Sequence, residues 1–79
     1  MSKNYDTIWR NALKIIQDNV SIQSFKTWFE PIIPVALKEN VITIQVPSQF
    51  FYEWLEEHYV DLLRKTIQRE LGPDARLEY

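Results

Sequence analysis

The chain contains no cysteine, a single glycine and a single histidine. Without thiols there is neither a disulfide framework nor a cysteine-based zinc site. One glycine, Gly72, is too few for any glycine-rich loop that cradles phosphate. The one histidine, His58, has acids of a helix surface as its sequence neighbours (Glu53, Glu57, Asp61). Nucleophilic or metal chemistry would need a nucleophile or further ligands converging on that ring. The pattern reads instead as a partly exposed helix histidine, and Glu56-Glu57 reads as a solvated face. No catalytic residue, metal ligand or cofactor is expected. Long apolar runs are missing too. Nothing approaches the roughly 18 residues needed to span a membrane, and residues 1–14 hold no segment apolar enough for a signal peptide. An excess of positive charge is also absent: the net charge is −2, whereas strong nucleic-acid binders are normally basic. A cytoplasmic protein that works by binding other proteins is the class left over.

What is present is apolar and aromatic. Of 79 residues, 46% are hydrophobic and 14% aromatic, so one thin core built on large rings is within reach. From Thr7 to Asn19 the apolar residues Ile8, Trp9, Ala12, Leu13, Ile15 and Ile16, extended by Val20, fill an arc of about 160° on a helical wheel. That arc is wider than one core-facing stripe needs, with Trp9 and Leu13 toward one side. Asp6 is the expected N-cap. Ser21 caps a second, short helix over Ile22–Glu30, which Pro31 stops. Ile32–Leu37 and Val41–Val46 flank the polar turn Lys38-Glu39-Asn40 and read as a hairpin. A long helix is expected over Gln49–Glu70, capped by Ser48. Its core stripe is Phe51, Leu55, Tyr59, Leu62, Leu63 and Thr66, with acids in its first half and bases in its second. Gly72-Pro73 ends it, and Asp74–Tyr79 alternates as a third strand would. The fold class is α+β in the order α-α-β-β-α-β, a small three-stranded sheet covered by helices. Residues 1–79 form one domain, and a strand signal running to the last residue points to a fragment of a longer protein.

The placement of the rings bears on function. Phe50 projects about 100° from the stripe of the long helix, among Glu57, Asp61 and Gln68. It is either a partner anchor or a staple folded back onto the hairpin or second helix. Trp54 lies on the shoulder of the stripe and reads as partly buried. Trp28 and Phe29 read as core, together with Phe25, Phe51, Leu55 and Leu62. Trp9 fits core and surface alike.

Ile8-Trp9, the run Ser24-Phe25-Lys26-Thr27-Trp28-Phe29-Glu30-Pro31, the run Val46-Pro47-Ser48-Gln49-Phe50, and Trp54-Leu55 with Tyr59 together resemble the N-terminal domain of the DnaA family of bacterial replication initiators. The resemblance spans residues 8 to about 70, and the ordered set is more specific than any one motif. It implies a KH-like fold. It also implies that the longer protein carries a linker, an ATPase domain and a DNA-binding domain beyond this one. The expected partners are a second copy of the domain, the replicative helicase DnaB and regulatory proteins of initiation. Trp9, with Leu13 beside it, is expected to support self-association. Phe50 is expected to contact the helicase, with Gln23, Ser24 and Thr27 completing that surface. Two positions depart from the family pattern: Ser24 stands where an acid is common, and Ser48 where an asparagine is. The alternative reading is a weak single-stranded nucleic-acid module on the KH-like fold. It lacks the GXXG clamp, since Gly72 is the only glycine.

Overall fold

A computed structural model describes residues 4–79. Helix α1 spans Tyr5–Gln17 and α2 spans Ile22–Trp28. Strands β1 (Ile33–Lys38) and β2 (Val41–Gln45) follow, then α3 (Gln49–His58), α4 (Val60–Leu71) and β3 (Arg76–Glu78). The α+β class is as expected, but the order is α-α-β-β-α-α-β, because the long helix is two helices.

Local chemistry sets the element ends. The Asn4 side chain, two residues before the expected Asp6, accepts from the Thr7 N–H at 2.8 Å and caps α1. Asp6 instead sits in the first turn, where its charge suits the helix dipole, and pairs with Arg10 at 3.3 Å. Ser21 and Ser48 cap α2 and α3 as expected, each through a 3.1 Å bond to a backbone N–H, of Ser24 and Phe51 respectively. Gly72 ends α4 at φ 107°, a backbone region that side-chain-bearing residues rarely adopt. Open space surrounds the position a Cβ would take, so the requirement there is purely conformational.

The sheet has the order β1-β2-β3. β1 and β2 form an antiparallel hairpin, and β3 returns parallel to β2 with Leu77 opposite Ile42. On β2, Ile42 and Ile44 are fully buried while Val41 and Thr43 are only partly so, which marks one covered face. β1 is an edge strand that carries Pro34 and an irregularity beside Val35. Both features blunt pairing with another chain, although Ile33 and Val35 are exposed.

The core gathers Ile8, Trp9, Ala12 and Ile16 of α1, Phe29 and Ile32, then Ile42, Ile44, Phe51, Leu55, Leu63, Ile67 and Ala75. α1 packs on α4 and β1, and α4 on β3. Several expectations need correction. Phe25, Trp28 and Leu62 are only partly buried and pack against the core from outside. Phe51 and Leu55 are core as expected. Ile67, 1% exposed, joins the core although it lay off the stripe. The reason is the break at Tyr59, whose φ of −128° and ψ of 6° interrupt the helix. An interrupted helix restarts its 3.6-residue phase, so α4 turns Leu63, Thr66 and Ile67 inward. The charge gradient changes meaning with it. Asp61 and Arg69 still suit the dipole of α4, but Glu56 and Glu57 now stand in the last turn of α3, where they oppose it.

Trp9 is 3% exposed, so its ring belongs to the core of this chain and is not available as a surface anchor. Its indole N–H is buried without a hydrogen-bond partner, a cost of about 1–3 kcal/mol that ring packing must exceed. Truncation of a buried tryptophan removes about 3–5 kcal/mol, against a total of roughly 4–12 kcal/mol for a chain of this length. Trp9→Ala is therefore expected to remove a large share of the stability, read by circular dichroism as a strongly lowered midpoint of urea denaturation. A variant that keeps the parental midpoint would show that the ring does not sit in the core.

Candidate interaction surface

Helix α3 divides its residues among three directions. Phe51 and Leu55 point into the core. Phe50, Trp54 and His58, spaced by four, form a second line. Tyr52 and Glu56 form a third, four apart on another side.

The second line is a ridge of rings. Phe50 is 64% exposed. Its ring centre lies 6.2 Å from that of Trp54 and 6.2 Å from that of Trp28, which reaches across from α2. Trp28 stacks on Trp54 at 4.7 Å with planes 8° apart, and it meets Phe51 at 5.0 Å. His58 extends the ridge, 4.2 Å from Trp54. Offset-stacked and tilted ring pairs contribute about 0.5–1.5 kcal/mol each beyond area burial. The stack thus fixes the Trp pair, and Phe50 stands on it with most of its surface in water. The Trp54 indole N–H is buried without a partner. Ser48 holds the start of α3, so the cap role of the asparagine it replaces is kept.

On α2, Ser24 is half-buried one turn before Trp28, and its Oγ accepts from the Ser21 hydroxyl at 3.0 Å. Gln23 and Thr27 are exposed. Thr27 lies about 100° round the helix from Trp28 and Gln23 further still. Of the expected partner-binding residues, Phe50 and Ser24 lie beside the Trp pair, while Gln23 and Thr27 flank it. Trp9 and Leu13 are not brought together on a surface: Trp9 is buried and Leu13 half-buried against the core.

Sequence reasoning missed the Trp28–Trp54 stack and the membership of His58. The four-residue spacing of 50, 54 and 58 was the available signal for His58. Nothing local links positions 28 and 54.

The third line holds the end of the sheet. The Tyr79 hydroxyl donates to the Glu56 carboxylate at 2.7 Å, and its ring meets Tyr52 edge-on at 4.6 Å. Burial, reinforced by the carboxylate that accepts its proton, pushes the Tyr79 phenol well above its ordinary value. Among the described residues no cluster of three or more His, Cys, Asp or Glu is arranged to hold a metal, and no helix is long and apolar enough to cross a membrane.

The model of the family described as the DnaA N-terminal domain matches residues 6–69. The chain is 54% identical over all its 79 residues to the chromosomal replication initiator protein DnaA of Flavobacterium psychrophilum, and covers 16% of that protein. It is 49% identical to the protein of the same name from Bacteroides fragilis over 72 residues, which is 91% of the chain and 15% of the relative. With that from Chlorobaculum tepidum it shares 43% over 74 residues, 94% of the chain and 15% of the relative.

The Tyr79 contact makes a pH-dependent contribution with a definite sign. A phenol that keeps its proton longer when folded stabilises the fold fully below the ordinary tyrosine value of 10.0. That contribution falls away as the pH rises above it. Tyr79→Phe is expected to cost about 0.5–1 kcal/mol at neutral pH, because the bond is largely solvent-exposed. The gap to wild type should shrink as the pH rises above 10.0 in urea titrations. A gap that stays constant as the pH rises would show that the proton on the Tyr79 hydroxyl does not contribute to stability.

Proposed function

The chain belongs to the DnaA N-terminal domain family, and we propose that it is the protein-interaction module of a replication initiator acting in the bacterial cytoplasm. Its tasks on this reading are recruitment of the replicative helicase DnaB, docking of regulators of initiation, and weak self-association at the origin. The chain spans only 15–16% of the relatives described above, so their whole-protein activity is not attributed to it. What matches is the N-terminal, non-ATPase part.

The observation that supports helicase contact is Phe50: a large ring, 64% exposed, held on a stacked tryptophan pair at a capped helix start. A rigid aromatic loses little conformational entropy on docking, and such anchors typically contribute 2 kcal/mol or more. Because Ser24 replaces the acid common in the family and is tied to Ser21, Phe50 carries the larger share of the contact. For self-association, the flank of α1 at Leu13 is the proposed contact, with Trp9 supporting it from beneath. One small helix face buries little area, so the association is micromolar or weaker. Single-stranded DNA binding is at most auxiliary, since the net charge of −2 gives no attraction for phosphates.

Phe50→Ala is expected to lower stability by about 1–2 kcal/mol, the lower part of what its two largely exposed ring pairs can contribute, while weakening helicase binding about tenfold or more. Calorimetry of the melt and titration against purified helicase read the two effects. A large loss of stability would make the ring a staple, and an unchanged affinity would put the helicase contact elsewhere. For self-association, sedimentation equilibrium is expected to show partial dimer for wild type near millimolar concentration and monomer for Leu13→Asp. A wild type that stays monomeric there would remove self-association from the functions of the isolated chain.

A further inference from the structure

Two carboxylates run along the ring ridge of α3. On a helical wheel Glu53 and Glu57 lie about 60° and 20° from Phe50, on the side away from the core stripe. Glu53 is one turn after Phe50, and Glu57 one turn after Trp54. Neither has a lysine or arginine partner among the described residues. Glu53 accepts only from the Gln49 amide at 3.2 Å. Glu57, with its side chain 77% exposed, has a single charged-group contact, His58 Nε2 at 4.0 Å. Glu57 also stands in the last turn of α3, where the helix dipole disfavours an acid. Cations of the surrounding elements do not compensate. Lys26 of α2 lies about 160° round the helix from Trp28, and Asp61 at the start of α4 adds a further exposed acid. An exposed aromatic anchor beside two carboxylates without a lysine or arginine partner is complementary to an apolar side chain with positive charge next to it.

We infer that the partner segment received by this ridge is cationic: it seats an apolar residue on Phe50 and the Trp28–Trp54 stack, and its lysine or arginine side chains meet Glu53 and Glu57. The inference rests on the reading of the Phe50 surface as a partner site and adds the charge of what binds. It moves the acid of the contact from α2, where Ser24 stands, to α3. The carboxylates raise the association rate and exclude acidic segments, while the rings hold the complex once formed. Phosphate backbones are excluded by the same charges.

The test uses the chain with two kinds of probe. Against purified replicative helicase, Glu53→Lys/Glu57→Lys is expected to bind about tenfold more weakly at low salt. The difference should fade toward 1 M salt, where screening shortens to about 3 Å. Glu53→Gln/Glu57→Gln should fall between, and the melting temperature should hardly move. The net-charge control Asp18→Lys/Asp74→Lys should bind as wild type. Equal weakening by the control, or unaltered binding by the ridge variant, overturns the inference. If Phe50→Ala weakens binding and the ridge variant does not, the docking surface stands and only its charge preference fails. The second probe is a pair of helical model peptides with one apolar stripe, flanked by lysines in one and by glutamates in the other. Only the lysine peptide should shift the indole N–H signals of Trp28 and Trp54 in nuclear magnetic resonance spectra. An equal response to the glutamate peptide, or none to the lysine peptide, overturns the inference whatever the helicase does.

Discussion

The edge-on contact between Tyr59 and Phe29, 5.0 Å between ring centres, holds the joint on which the rest of this structure turns. Phe29 is fully buried at the end of α2, and Tyr59 is the residue at which the helical path breaks between α3 and α4. Backbone bonding survives on both sides of the break. The Tyr59 N–H donates to Leu55 O at 2.8 Å, and Tyr59 O accepts from the Leu63 N–H at 2.9 Å. The break thus keeps a backbone bond on each side of Tyr59, although no side chain caps the start of α4. Because the ring is anchored, the two helices face different neighbours. α4 lies against α1 and β3, while α3 presents its rings to Trp28 of α2.

α3 does its work through this division. A straight helix of more than 20 residues would bury one stripe and leave the rest to solvent. The broken one gives α3 a core side, a ring ridge and a side that carries the Tyr79 contact. The ridge and that contact share one short rigid element. The exposed ring is tolerated because the apolar cost of one partly exposed phenylalanine is about 1–2 kcal/mol, and its ring neighbours return part of it.

Much of this was legible in the sequence. Hydrophobic periodicity and cap residues located α1, α2 and the hairpin, and the alternation after Gly72 located β3. The wheel also placed Phe50 off the core. The break at Tyr59 was not legible, because no proline or glycine marks it and the ring it packs on, Phe29, lies thirty positions away. From that one omission came a stripe that leaves out Ile67 and the dipole argument that fails for α3. The Trp28–Trp54 stack was invisible for the same reason: each residue alone looks like core or shoulder, and only the approach of α2 to α3 makes them one platform. The cap at Asn4 rather than Asp6 is a different kind of error. Both residues cap well, and the choice depends on whether two further residues can join the helix upstream.

Trp9 illustrates how a role and a location separate. The wide apolar arc of α1 left room for a surface tryptophan, and the arc is wide because two surfaces claim it: α4 on one side and β1 on the other. With both in place Ile8, Trp9, Ala12 and Ile16 are all buried, and Leu13 is left at the margin. A substitution at Trp9 would then abolish any association by loosening the helix that presents it, whether or not the ring touches a second copy. At Phe50 the situation is reversed. Its substitution leaves the core intact, so a lost contact there reports on the contact itself. Mapping a binding surface on a domain this small consequently depends on burial first, because only residues outside the core separate binding from folding.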